Sequence, residues 1–161
     1  MVRRRAPAPF SRQSSERSSR SKGIEGLGGN YMDFMRIAII GAGCAGLKAG
    51  AALAHIGHCV TCMESDGIKL AALEGGRYTI REQGVEEIMK DMGERLLFTG
   101  DISKAGGADA LLPVTEWPEY RALDLNRIAG TMRTPVFLDG RNLLDPERAR
   151  NAGLIYMGVG R

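Results

Sequence analysis

"RIAIIGAGCAGLKAGAALAHIGHCVTCMESD", residues 36–66, is the stretch that determines the architecture of this chain. It opens with RIAII, a short β-branched run typical of a strand that is buried on both faces. Three glycines follow, and then an Ala/Leu-rich segment, 44–56, that stops at Gly57 as helices often do. The run CVTCM then predicts a second strand. A strand, a glycine turn, a helix and a second strand form the unit from which parallel sheets are built.

The glycines of this turn have the spacing of a site for a phosphate-containing ligand. Gly41, Gly43 and Gly46 form the pattern G-x-G-x-x-G between the first strand and the helix. Gly41 permits the tight turn, Gly43 lets a diphosphate approach the backbone, and Gly46 lets helix and strand pack closely. The helix N-terminus offers that anion unpaired N–H groups and a positive dipole end. The alternative interpretation is a tight strand–helix turn that binds no ligand.

A carboxylate stands at the end of the second predicted strand. Glu64 lies 21 residues beyond Gly43, close to the offset of about 20 residues at which an acidic side chain binds the ribose hydroxyls of a dinucleotide. Such a carboxylate would repel a 2′-phosphate, so it favours NAD over the phosphorylated coenzyme. The sequence therefore predicts NAD as the cofactor.

The rest of the chain continues to alternate between strand and helix patterns. Further strands are predicted at 95–99, 109–115, 135–139 and 154–160, and further helices at 67–74, 84–91 and 119–132. A last short helix follows Asp145, an N-cap residue, with Pro146 at its first position and Gly153 as its stop. The expected fold class is therefore α/β: a Rossmann-like, mainly parallel sheet of about six strands with helices on both faces.

Composition and charge limit the classes of function. The chain has 161 residues, of which 43% are hydrophobic and 25% are charged, values that are ordinary for a globular protein. No apolar run approaches the roughly 20 residues that a membrane-spanning helix needs, so no membrane partner is expected. The net charge of +3 is the sum of +5 in residues 1–30, from seven Arg and Lys against two Glu, and −2 in the rest of the chain. Because the rest carries no basic stripe with interleaved aromatic residues, no nucleic-acid partner is expected either.

The first 34 residues are rich in Arg and Ser and poor in apolar side chains. Such a segment buries too little surface to offset its chain entropy, so a disordered extension is predicted for 1–34. A transit peptide is one alternative interpretation, and a translation start further along, at Met32 or Met35, is another. The odd number of cysteines and the absence of a signal peptide indicate a reducing, cytoplasmic location.

Other reactive side chains suggest structural roles rather than chemistry. Cys59 and Cys62 form C-x-x-C, but a zinc ribbon needs a second pair, and i and i+3 on a strand point to opposite faces. Both are predicted to be core residues, and no metal site is expected. Cys44 sits where a helix N-terminus would favour a thiolate, although a small residue filling the turn is the simpler interpretation. His55 and His58 are predicted to be surface or turn residues.

Several stretches resemble the UDP-glucose/GDP-mannose dehydrogenase family. The glycine turn and its flanking strands, together with "IREQGVEE" and "RLLFTGD", are similar to the amino-terminal NAD-binding part of that family. Cys44 and Ala45 replace its usual Tyr-Val, and Lys69 falls where the family has Lys or Arg near the adenosine of NAD. By this resemblance, the residues expected on the adenosine–pyrophosphate side of NAD are Gly41, Gly43, Cys44, Ala45, Gly46, Glu64 and Lys69.

The last third of the chain is similar to a different part of the same family. "TEWPEYRALD" and "DGRNLLDPE" resemble the end of its carboxy-terminal UDP-binding domain. The resemblance thus divides the chain into an NAD-binding part, 35–107, and a UDP-binding-domain-like part, 108–161, which are expected to share one hybrid sheet. Arg141 could bind the phosphates of a nucleotide sugar, or it could be a loop residue after a strand. Glu116 and Trp117 are expected to shape a loop.

The resemblance implies a reaction that this chain is not equipped to complete. The family oxidises a nucleotide-sugar alcohol, such as UDP-glucose to UDP-glucuronate, with NAD and a catalytic Cys in a G-F-G-G-x-C-x-x-K-D type motif. No such motif occurs here, so no catalytic residue is assigned, and the central segment that builds the family homodimer is also missing. Three hypotheses follow: a UDP-glucose-oxidising enzyme by descent, a non-catalytic NAD-binding module, or a truncated or misassembled gene product.

Overall fold

The structure, a computed structural model, describes residues 34–78, 80, 84–115 and 122–160. The predicted extension 1–34 therefore lies outside the described residues except for Phe34. The strands are β1 (Arg36–Ile40), β2 (Cys59–Met63), β3 (Leu96–Thr99), β4 (Ala110–Pro113), β5 (Val136–Asp139) and β6 (Ile155–Gly158). The helices are α1 (Cys44–His55), α2 (Gly67–Glu74), α3 (Val85–Met92), α4 (Leu125–Thr131) and α5 (Pro146–Asn151). None of these helices is long and apolar enough to cross a membrane.

The described strands form one parallel sheet in the order β3-β2-β1-β4-β5-β6. The order reverses between β1 and β4, because the chain first adds strands to one side of β1 and then to the other. In open parallel sheets a crevice forms at such a reversal, outside the carboxyl ends of the strands. The predicted Rossmann-like sheet of about six strands is confirmed.

The alternation of side chains along β1 separates two hydrophobic cores. Ile37 and Ile39 are buried on one face of the sheet, in a core that includes Leu47 of α1 and Met89 of α3. Ala38 and Ile40 point to the other face, into a core with residues of α4 and α5. Helices thus cover both faces of the sheet, as expected, and β1 is apolar after Arg36 because both of its faces are buried there.

Aspartate caps fix the first turn of three helices. The carboxylates of Asp66, Asp124 and Asp145 accept hydrogen bonds from backbone N–H groups in the first turns of α2, α4 and α5. Asp145 and Pro146 have the predicted positions. The predicted helix 119–132 is wrong at its start, because Asp124 is the extended N-cap residue and α4 begins at Leu125. Residues 116–121, with Glu116 and Trp117, lie outside the described residues.

A buried carboxylate links the amino-terminal ends of two neighbouring strands, β1 and β4. Asp109, just before β4, accepts a 2.8 Å hydrogen bond from the backbone N–H of Arg36 at the start of β1. Its carboxylate also forms a two-pronged ion pair with Arg133, which follows α4. Burial alone would raise the pKa of Asp109, but the hydrogen bonds from Arg133 and from the Arg36 backbone outweigh it and hold the pKa below its ordinary value. Asp109 therefore ties β1, β4 and the end of α4 together.

Candidate functional site

The glycine turn after β1 is shaped by two close contacts. Gly41 has φ +102°, a conformation that residues with a side chain rarely adopt, and a Cβ there would lie 2.8 Å from the Cβ of Thr115. A Cβ on Gly46 would lie 1.8 Å from the carbonyl oxygen of Gly41. Both positions therefore need glycine for the turn itself, whether or not a ligand binds.

Gly43 is different, because neither its conformation nor its packing calls for glycine. It is the N-cap residue of α1, with φ −75° and ψ −175°, which any residue can adopt. A Cβ built on it would meet no heavy atom of the described residues within 4 Å. The bare backbone leaves an open approach to the first turn of α1, whose leading N–H groups have no intrahelical acceptor. This is the geometry that a diphosphate needs in order to sit on a helix N-terminus.

The turn opens into a cavity of about 320 Å³ at the carboxyl ends of β1, β2 and β4. All eight residues that the sequence singled out as binding candidates line it, and these are Gly41, Gly43, Cys44, Ala45, Gly46, Glu64, Lys69 and Arg141. Ala42, Met63, Ser65, Val114 and Thr115 complete the lining. The sequence candidates, which lie as far apart as residues 41 and 141, therefore meet where the strand order of the sheet reverses.

One wall of the cavity carries an oriented carboxylate. Glu64 follows β2 and is 5% exposed. One of its oxygens accepts a 3.2 Å hydrogen bond from the backbone N–H of Asp66, and the other forms an ion pair with Lys69 in α2. Because Asp66 also caps α2 through the N–H groups of Ile68 and Lys69, the same short loop fixes both partners of the pair.

The opposite wall carries Arg141, on a loop that a buried carboxylate organises. Asp139, at the end of β5, is fully buried. Its carboxylate accepts hydrogen bonds from the backbone N–H groups of Arg141 (3.2 Å) and Leu144 (2.9 Å) and from the hydroxyl of Tyr156 (3.0 Å). Asn142, with φ +52°, donates from its side chain to the carbonyl of Val159 at 2.9 Å. The loop that carries Arg141 is thus anchored at both ends.

Val114 lies between the glycine turn and the loop that carries Arg141. Its Cγ2 would lie 3.1 Å from a Cβ on Gly46, and its Cγ1 would lie 4.0 Å from a Cβ on Gly140. A Cβ on Gly140 would also approach the carbonyl oxygen of Pro113 to 3.3 Å. The loop after β5 therefore lies close to the end of β4, on the side of the glycine turn. This position places Arg141 in the lining of the cavity.

The cysteines and histidines lie in different environments. Cys62 is buried in the core, as predicted, and burial raises the pKa of its thiol to about 12. Cys59 is only half-buried, and burial raises its pKa although Arg95 and Arg36 oppose the shift. Cys44 is exposed at the cavity wall. The expectation for His58 is wrong in one respect, because it is buried and its Nδ1 accepts a 3.3 Å hydrogen bond from the backbone N–H of Met35.

Sequence reasoning missed the residues that support the site. Thr115 packs against Gly41, and Asp139 holds the loop of Arg141. Thr115 lay at the end of the predicted strand 109–115, and no signal in the sequence marked it as a neighbour of Gly41. The signal for Asp139 was the Asp-Gly pair at a strand end, which is typical of a tight turn.

A larger groove of about 510 Å³ lies between the start of α4 and α5. None of the predicted binding residues lines it, and its aspartates, Asp124 and Asp145, are engaged as helix caps. No group of three His, Cys, Asp or Glu side chains in the described residues could hold a metal ion. The smaller cavity at the glycine turn is therefore the candidate site.

Comparisons with known proteins cover the part of the chain that contains the glycine turn. The family model described as "UDP-glucose/GDP-mannose dehydrogenase family, NAD binding domain" matches residues 35–133. The UDP-glucose 6-dehydrogenase of Pseudomonas aeruginosa is 54% identical over 55 residues, which are 34% of this chain and 12% of that protein. The UDP-glucose 6-dehydrogenase of Rhizobium meliloti is 44% identical over 57 residues, which are 35% of this chain and 13% of that protein. The chain thus spans well under a fifth of these two relatives.

Solved structures share the fold. The UDP-glucose dehydrogenase of Pyrobaculum islandicum superposes with a TM-score of 0.59 at 18% identity, over 83% of this chain and 37% of that one. The GDP-mannose dehydrogenase of Pseudomonas aeruginosa superposes with a TM-score of 0.55 at 22% identity, over 65% of this chain and 28% of that one. At these identities the likeness concerns the fold alone.

Proposed function

Because the chain belongs to the UDP-glucose/GDP-mannose dehydrogenase family and carries its NAD binding domain, we propose that it binds NAD at the glycine turn without completing the oxidation of UDP-glucose. The family match confirms NAD as the predicted cofactor. Members of this family act on nucleotide sugars, so UDP-glucose is the substrate class that an active form would take. The finer proposal, an NAD-binding module that lacks catalytic groups, is supported as follows.

The single observation that carries the proposal is the open backbone at Gly43. Gly41 and Gly46 are explained by the turn itself, whereas the absence of a side chain at Gly43 has no explanation in the packing of the described residues. A diphosphate approaching there would meet the first-turn N–H groups of α1 and the positive end of its dipole. The cavity would then place the diphosphate over Gly43, Cys44, Ala45 and Gly46.

The carboxylate of Glu64 supports the choice of the unphosphorylated coenzyme. Its ion pair with Lys69 and its hydrogen bond from Asp66 hold it at the cavity wall. In this proposal Glu64 accepts hydrogen bonds from the ribose hydroxyls of the adenosine, and a 2′-phosphate would bring negative charge against it. Lys69 orients Glu64 and lies beside the adenosine end.

The cysteines support the absence of turnover. Oxidation through a thiohemiacetal needs an accessible, activated thiol close to the substrate carbon. Cys62 is buried with a pKa of about 12, and burial also raises the pKa of Cys59. Cys44 lines the part of the cavity where the diphosphate would sit, so it is not next to the reacting carbon of a nucleotide sugar. No segment of the sequence supplies the catalytic motif of the family.

Two measurements on the full chain test the proposal. Calorimetric titration with NAD should show saturable binding, and the same titration with NADP should show binding that is at least about tenfold weaker. Absorbance at the NADH band should stay flat when NAD and UDP-glucose are supplied together. No heat and no thermal shift with NAD would overturn the binding proposal, whereas steady NADH production would overturn the absence of turnover.

A further inference from the structure

We propose that Arg141 and the glycine turn form one diphosphate site, so that NAD and a UDP-sugar occupy this chain one at a time. The inference rests on the proposed function, since it takes NAD binding at Gly43 as given. It changes the expected role of Arg141 from a ligand of the nucleotide sugar alone to a ligand of the cofactor as well.

The first step is the position of Arg141. It lines the same cavity as Gly41, Gly43 and Gly46, although it follows β5 and they follow β1. Val114 lies between the glycine turn and Gly140 and packs toward both. The loop after β5 is therefore part of the wall that faces the N-terminus of α1.

The second step is that this position is fixed. The backbone N–H of Arg141 is held by Asp139, a carboxylate with no exposure, whose other partners include the N–H of Leu144 and the hydroxyl of Tyr156. Asn142 ties the loop to the carbonyl of Val159. An arginine on an anchored loop loses little backbone entropy when it binds an anion, because the loop is already ordered.

The third step is charge. Among the described residues that line the cavity, the cationic side chains are Lys69 and Arg141. Lys69 forms its ion pair with Glu64 on the adenosine side. Arg141 approaches from the other side, where its guanidinium can make paired hydrogen bonds to phosphate oxygens. A diphosphate between α1 and Arg141 would face the positive end of the helix dipole on one side and the guanidinium of Arg141 on the other.

The fourth step is space. The cavity has about 320 Å³, at the lower end of the roughly 300–1,000 Å³ that small-molecule sites span. Among the described residues it contains one helix N-terminus, that of α1, and therefore offers one place for the diphosphate of a nucleoside diphosphate. NAD and UDP-glucose share that chemistry, since each joins a nucleoside to a second sugar through a diphosphate. Whichever binds first therefore excludes the other, and hydride transfer, which needs both ligands side by side, is prevented.

The test uses the full chain, NAD, UDP-glucose and two arginine variants. Arg141→Gln keeps the backbone bond to Asp139 and removes the charge, whereas Arg127→Gln removes an exposed arginine of α4 outside the cavity. We expect Arg141→Gln to weaken NAD and UDP-glucose binding by about tenfold each, and thermal denaturation of the same samples checks that the variant still folds. Arg127→Gln should bind both as the natural chain does. Raising the UDP-glucose concentration should raise the apparent Kd of NAD in linear proportion.

The outcomes separate this inference from the proposed function. If the natural chain binds no NAD, both fail together. If NAD binds but Arg141→Gln leaves its Kd unchanged, Arg141 is not part of the cofactor site and the inference fails while the proposed function stands. The inference also fails if UDP-glucose does not bind, or if saturating UDP-glucose leaves the Kd of NAD unaltered.

Discussion

At Gly43 the fold would accept a side chain, whereas the proposed binding of a diphosphate would not. A side chain there would be compatible with the backbone angles and with the packing of the described residues. A side chain at Gly41 or Gly46 would not. The three glycines of one motif therefore have separable roles, and only Gly43 can be changed without disturbing the turn.

Gly43→Ser should separate binding from stability. Serine is at least as good an N-cap residue as glycine, so the melting temperature should stay the same or rise slightly. Its side chain would occupy the approach to α1, and we expect the Kd of NAD to increase at least about tenfold. Calorimetry and thermal denaturation of the same samples measure the two effects. Unchanged NAD affinity would mean that the ligand does not approach the backbone at this point.

Asp109 links stability to pH. Its pKa in the folded chain lies below its ordinary value, which is about 3.9 in the unfolded chain. Because the pKa of Asp109 is lower in the folded chain, its ionised carboxylate stabilises the fold above about pH 4. This stabilisation is lost as the pH falls through the lower pKa of the folded chain.

Asp109→Asn should lower the free energy of unfolding at pH 7 by about 1–2 kcal/mol, because it breaks the ion pair with a largely exposed Arg133 and weakens the bond to Arg36. Urea denaturation should show that the difference in free energy of unfolding between the natural chain and the variant becomes smaller as the pH drops below about 4. Asp91→Asn, at an exposed position of α3, is the matched control and should change little. A gap that stays constant with pH would contradict this role of Asp109.

At the scale of single residues, the sequence identified the residues that line the cavity better than the residues that support it. Gly41, Gly43, Gly46 and Glu64 follow a fixed spacing because one local unit, strand–turn–helix–strand, brings them together. Asp109 and Asp139 act through partners far along the chain or within an irregular loop. Their roles depend on which strands become neighbours, and a linear pattern does not contain that information.

Among the elements, α1 and α4 each contain a glycine, and the two glycines have opposite effects on stability. Gly50 of α1 faces the sheet, and a Cβ there would lie 2.9 Å from the Sγ of Cys62 and 3.1 Å from Leu96. Gly130 of α4 is exposed, and a Cβ there would meet no described heavy atom within 4 Å. Helix α1 can lie close to β2 only because Gly50 has no side chain.

Alanine at these two positions should therefore shift stability in opposite directions. Gly130→Ala should stabilise the chain by about 0.5 kcal/mol, because alanine restricts the unfolded chain and fits a helix. Gly50→Ala gains the same helix preference but overpacks the α1–β2 contact, and we expect a net loss of about 1 kcal/mol or more. Chemical denaturation of both variants measures the difference. A stabilised Gly50→Ala would show that Cys62 and Leu96 move aside at little cost.

Element boundaries were predictable where a local signal marks them. The β-branched runs of β1 and β2 and the cap of α5 were located from the sequence alone. The start of α4 was not, because Leu123 and Leu125 fit a helical spacing that continues before Asp124. The capping bond from the N–H of Arg127 to Asp124 ends that pattern, since an N-cap residue is extended rather than helical.

For the molecule as a whole, the decisive feature is that residues on both sides of the predicted division at residue 108 share one core. The core on the α4–α5 face combines Ala38, Ile40 and Met63 with Leu111 and Phe137. The described residues from Phe34 onward form one compact unit. The division at residue 108 remains a prediction about origin, and the packing gives no reason for the two parts to fold separately.

A fragment of residues 34–107 should therefore fail to fold. It would lack β4 and the helices that cover Ala38 and Ile40, leaving one face of β1 and β2 bare. We expect no cooperative thermal transition by circular dichroism, and early elution by size exclusion from association. Residues 34–161, prepared in parallel, should unfold in a single transition. A sharp transition in the shorter fragment would show that the two parts are independent.

The strand that comes first in the described chain, β1, has β2 on one side and β4 on the other. During translation β2 emerges soon after it, but β4 follows only after two helices and β3. At roughly 5–20 residues per second, the second edge of β1 stays unpaired for several seconds on the ribosome. In that interval the nascent polypeptide presents an open apolar strand edge, the kind of surface that chaperones protect and that other unfinished chains can join. The central position of β1, which gives the finished protein its crevice, thus exposes the nascent chain to association with other unfinished chains.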